Sequence, residues 1–185
     1  MSIMVIAAVL ACIKMLSHRA HTDTLGALAK SNSFLTQVDT CHTKASDQWN
    51  FYQAKNIRKH EYEALLGLSE YVAKEPGKEE AQKKTADNWK KQVDKYNVEL
   101  PQMMAEAKAL EQKAEDLLGQ SEKKAEESEH FHHRADWFDA GELGIEIALI
   151  VCSVALLTKR TAFWYLGVAF ALIGAAIAAS GFLVR

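Results

Sequence analysis

The sequence predicts an all-α membrane protein with three transmembrane helices and a long, coiled-coil-like antiparallel helical hairpin arm. Three observations predict it. Charge is segregated: residues 3–17 carry only Lys14, and residues 143–184 carry only Glu146, Lys159 and Arg160, while nearly all other charges lie between Arg19 and Glu142. Breakers are scarce, with two prolines and nine glycines in 185 residues. Ala, Glu, Lys, Leu and Gln dominate the middle, a composition that favours long helices over sheet.

The first element is an N-terminal transmembrane helix over residues 1–17. Its apolar run is shorter than the roughly 20 residues that a hydrocarbon core of about 30 Å demands. It has no basic region before the run and no usual cleavage site after it, so the sequence reads as a retained anchor and not a signal peptide. The arm follows over residues 18–140. From His18 to Lys74 there is no proline, and Glu75-Pro76-Gly77 is the clearest reversal signal in the chain. Two limbs of similar length joined near 75–77 predict an antiparallel hairpin roughly 80 Å long at 1.5 Å rise per residue.

Pro101 removes a backbone donor from the return limb and predicts a kink or a restart near 101. Downstream, Met103, Ala107, Leu110, Ala114 and Leu117 alternate spacings of four and three, the pattern of a coiled-coil seam. It is read onward through Ser121, Ala125, Ser128, His132 and Ala135, a small and polar stretch. A turn at Pro76-Gly77 sets Lys14 opposite Asp139 and His21 opposite His132.

Residues 141–185 predict a transmembrane helical hairpin. Ile147 to Leu157 is apolar apart from Ser153, Lys159-Arg160 forms the turn, and Thr161 to Val184 is the strongest span in the chain. With three spans inserted, the start of the chain shares one side of the bilayer with that turn. The distribution of Lys and Arg divides between the two faces, and the reading adopted puts the arm in the cytoplasm.

A formal net charge of −2 with Lys and Glu interleaved leaves no basic stripe, so nucleic acid is not an expected partner. Cys12 and Cys152 sit in apolar spans and Cys41 alone lies in the arm, which excludes a disulfide within the arm and leaves an intermolecular Cys41 pair open. No glycine-rich phosphate loop and no nucleophile beside a base is present, so no enzyme activity and no cofactor is expected.

The stretch Asp47-Gln48-Trp49-Asn50-Phe51-Tyr52-Gln53-Ala54-Lys55-Asn56-Ile57-Arg58 resembles the signature of a bacterial membrane-protein family, domain of unknown function 4337. So do His133-Arg134-Ala135, Phe138-Asp139, Glu142, the run Ala155 to Arg160, Trp164-Tyr165 and Gly174. The resemblance implies an anchor before the arm, a coiled-coil-like arm and a terminal membrane hairpin. It implies no activity.

Four groups of residues stand out. Trp49, Tyr52, Gln53, Lys55 and Arg58 put aromatic, amide and basic groups on neighbouring helix faces, as a docking surface or as packing against the return limb. Glu142 and Glu146 lie one turn apart at the start of the second span; with Lys14 entering the same layer they read as an ion pair locking the spans, or as a proton or ion site. His132, His133, Asp136 and Glu129 are the weak candidates for a metal, set against a solvated or pH-responsive histidine cluster. Gly167, Ala171, Gly174, Ala178 and Gly181 place small residues along the third span, for packing within the hairpin or between subunits.

The function expected is a non-enzymatic, membrane-anchored scaffold in a bacterial inner membrane, forming a homo-oligomer or joining a larger membrane complex. Lipid and protein are the partners. The alternative is an ion- or metal-responsive transport or sensing component built on the boundary acids and histidines.

Overall fold

A computed structural model describes residues 2–71 and 77–183. The described residues form three helices and no strand: α1 (Ser2–Tyr71), α2 (Glu79–Thr158) and α3 (Thr161–Ser180). All three are long and apolar enough, over part of their length, to cross a membrane. Neither α1 nor α2 breaks at residue 17 or 140. Of the expected reversal, Glu75 and Pro76 lie outside the described residues, whereas Gly77 has φ +89, a left-handed conformation suited to a turn. α2 does not restart at Pro101 but passes through it. Tyr96 and Leu100, just before the proline, are buried, and that packing offsets the lost backbone hydrogen bond.

The chain divides into two compact units, Phe34–Gly119 on one hand and Met1–Ser33 with Gln120–Arg185 on the other. In the first, two antiparallel helical segments meet along a narrow seam. Val38 and Cys41 of α1 pack on Ala114 and Leu117 of α2, with Phe34 beside them. Burying side chains of the Val and Leu kind stabilises by about 1.5–3 kcal/mol each. Further along, Tyr62 stacks on Tyr96 with centroids 6.3 Å apart. Cys41 is buried in this seam, which removes it as a thiol for an intermolecular disulfide.

In the second unit, Ile6, Ile13 and Ala20 of α1 meet Ala135, Phe138, Ile145, Ala148 and Cys152 of α2 and Ala178 of α3. Here the seam turns polar. Ser31 and Ser121 hydroxyls are 2.9 Å apart, each also donating to the other residue's backbone carbonyl, and Ser128 donates to the carbonyl of Thr24. Small hydroxyl residues let the backbones approach while satisfying their own buried polar atoms. The expected seam needs one correction: Ala125 and His132 are exposed, and Lys124 and Phe131 are half-buried in their place. After Leu117 the burial keeps a strict seven-residue period through Ser121, Ser128 and Ala135, so the companion positions fall three residues on, at 124 and 131, and not four.

α2 and α3 are joined by two residues. Lys159 has φ 54, a left-handed conformation that costs a non-glycine residue roughly 1–2 kcal/mol, and Arg160 is extended and caps α3 without a side-chain hydrogen bond.

Candidate functional site: the polar layer between the apolar helices

The polar layer is built from one face of α1 and one of α2 in the unit that holds all three apolar segments. Lys14, the one charge in the first apolar run, has its Nζ 2.8 Å from Glu146 Oε1 and 3.3 Å from Glu142 Oε1. Glu142 and Glu146 can both reach it because a spacing of four puts them on the same side of α2. One turn further along α1, the Ser17 hydroxyl donates to Asp139 Oδ1, and His21 Nε2 lies 3.0 Å from Asp139 Oδ2. The turn-based alignment is therefore displaced here. Lys14 faces Glu142 and Glu146 instead of Asp139, and His21 faces Asp139 instead of His132, about two helical turns further along α2. With histidine neutral the layer holds three carboxylates against one ammonium. Half of the Lys14 side chain and 41% of the Glu146 side chain are uncovered in the single chain.

Arg134 is a residue the sequence reading did not weigh as a site. Its guanidinium carbon stands 5.5 Å from the centre of the Phe138 ring and 5.2 Å from that of Phe182, and the two rings meet edge to face. Its buried Nε has no hydrogen-bond partner among the described residues. The cation–π contacts supply the compensation. The signal was present in the four-residue spacing of Arg134 and Phe138; what was hidden was that the chain after α3 returns Phe182 to them.

α2 and α3 approach almost backbone to backbone. A Cβ on Gly174 would stand 2.8 Å from the Gly141 carbonyl oxygen, one on Gly144 would stand 2.9 Å from Gly174 Cα, and one on Gly167 would collide with Cys152 Sγ. Gly181 packs on Trp137 and Phe138, Ala178 is buried, and Ala171 is half-buried against the same core. The small-residue stripe of α3 is thus occupied inside the chain, largely by α2. Outward from it, α2 presents Leu143, Ile147, Ile150, Val154 and Leu157, exposed by 36% to 85% and spaced alternately by four and three.

In the arm, the structure divides the aromatic and basic group. Trp49 Nε1 donates to Glu111 at 2.8 Å, its ring meets Tyr52 edge to face, and Lys55 Nζ is 2.6 Å from Glu99 Oε2. Gln53 and Arg58 are exposed, as are Phe51 and Ile57. Lys55 holds the Glu99 carboxyl below its usual range, outweighing desolvation, and Lys124 does the same to Glu127. Of the metal candidates, His132 and His133 are exposed. Among the described residues no three His, Cys, Asp or Glu side chains gather as a metal set would require.

Fold and layer together define an all-helical protein with three helices of membrane-crossing length and a charged layer between two of them. The chain belongs to the family described as Domain of unknown function (DUF4337), whose profile matches residues 1–184. No curated protein and no solved structure matches it.

Proposed function

We propose that this protein is a non-enzymatic, membrane-anchored scaffold that self-assembles within a bacterial inner membrane and presents its arm in the cytoplasm for docking to a larger complex. The observation that carries the reading is the outward repeat Leu143, Ile147, Ile150, Val154 and Leu157, with the half-exposed Glu146 on its edge. Ile3 lines the same cavity as Lys159 and Arg160, so that end of the unit serves as one bilayer surface. Measured from it, Lys14 and Glu146 lie roughly 17–18 Å deep at 1.5 Å per residue, inside a hydrocarbon core of about 30 Å. Charge exposed to lipid at that depth is costly, and a second copy seated on the repeat covers Glu146 along with the apolar side chains.

The test is the mass of the detergent-solubilised protein by light scattering. The wild type should be oligomeric. Leu143→Ala, Ile150→Ala and Leu157→Ala together should dissociate it while leaving its helix content unchanged, since each of these residues is at least 60% exposed in the single chain. A strictly monomeric wild type with no co-purifying partner would overturn the proposal.

A second reading is favoured by the acid excess of the layer. Among the described residues Asp139, Glu142 and Glu146 have Lys14 and His21 as basic partners, with the Ser17 hydroxyl donating to Asp139, so a cation or proton taken up there would make the assembly ion-responsive. Ion flux in reconstituted vesicles that is abolished by Glu146→Gln would support it; absence of flux would remove it.

A further inference from the structure

We propose that the membrane-spanning unit carries a specific site for an anionic glycerophospholipid, headgroup on Lys159 and Arg160 and one acyl chain in the groove between α1 and α3. The inference rests on the membrane reading above. Two cavities share the Trp164 indole. One, of about 440 Å³, is lined by Ile3, Leu156, Lys159, Arg160 and Thr161. The other, of about 410 Å³, is lined by Val5, Val9, Ile145, Val168, Ala171 and Leu172 and continues to Ala175. The first offers cations and a hydroxyl, and the second offers hydrocarbon.

Charge complementarity points to an anion in the first cavity. Lys14, inside the same unit, has two carboxylates within 3.3 Å. Lys159 and Arg160 have no carboxylate partner among the described residues, and the two-residue turn holds them together at the end of the hairpin. Thr161 begins α3, so the helix's positive end adds to their field.

The length of the second cavity points to an acyl chain. Trp164 to Ala175 runs roughly 16 Å along α3, about half of a 30 Å core and hence the depth of one leaflet. α1 departs from the same end, Ile3 through Val5 to Val9, so the groove follows the spans inward from the basic pair. A headgroup-to-tail order of cation, indole and hydrocarbon is the order in which a phospholipid meets a bilayer surface.

The experiment is native mass spectrometry of the detergent-solubilised full chain, offered phosphatidylglycerol or phosphatidylcholine in mixed micelles. Two basic side chains at a membrane surface predict a roughly ten- to thirty-fold preference for phosphatidylglycerol. Lys159→Gln with Arg160→Gln should reduce that preference to near unity, and Val168→Phe, which fills the groove, should weaken retention of phosphatidylglycerol. Circular dichroism checks that each variant is folded; if the charge variant is not, Val168→Phe decides. Equal retention of the two lipids by the wild type, a preference that survives loss of both charges, or full displacement of phosphatidylglycerol by inorganic phosphate would overturn the proposal. A chain that stays dispersed in water without detergent would instead remove the membrane reading itself.

Discussion

At Glu99 the Lys55 ammonium lowers the carboxyl's pKa from its ordinary 4.5. A folded-state pKa below the unfolded one means that the pair's contribution is present above the ordinary value and is lost as pH falls through the lowered one. Glu99→Gln should therefore lower the melting temperature at neutral pH and leave it unchanged well below pH 4.5. Melting curves with the same pH dependence in both proteins would refute this. The Lys14 pair was legible from the sequence for a related reason: a lone cation in an apolar run must find an anion, and Glu142 and Glu146 stand at the head of the apolar run of α2, although the turn-based alignment set Lys14 opposite Asp139. The Asp139 link to Ser17 and His21 was not legible. It depends on how far the two helices slide past one another, which a turn of uncertain centre does not fix.

Among the elements, the glycines separate into two kinds. Gly174 sits against the Gly141 carbonyl and Ile145, so Gly174→Ala forces the hairpin apart and should cost about 1–3 kcal/mol, as overpacking does. Gly26 has open space around its Cβ position in the middle of α1, so Gly26→Ala should stabilise by up to about 1 kcal/mol through helix propensity alone. Thermal melting of both variants in one detergent checks the opposite signs; a destabilising Gly26→Ala would mean that this face is covered. Helices and hairpin turn were readable because apolar runs and breakers mark them. The α1 side of the seam was missed. Ile6, Ile13, Ala20 and Ala27 recur every seven residues with Cys41 in the same register, and Ser17, Ser31, Val38 and Ala45 form a second set spaced by multiples of seven. Five of those nine residues are alanine or serine and raise no strong hydrophobic signal, and the same weakness allowed the slip to Ala125 and His132 on α2.

For the molecule as a whole, the three free cysteines report on the surroundings of each helix. Cys41 and Cys152 are buried, and Cys12 is exposed on the apolar part of α1. In intact vesicles none should react with a water-soluble maleimide, and all three should react after unfolding in dodecyl sulfate. Rapid labelling of Cys12 in intact vesicles would put α1 outside lipid. A practical consequence follows from the two-residue link at Lys159-Arg160. Trypsin cuts after both residue types, yet it must draw several residues of extended substrate into its cleft, and a hairpin this tight yields none. Protease shaving from that face of a vesicle should leave the hairpin whole, so sidedness is better mapped by digestion of the arm.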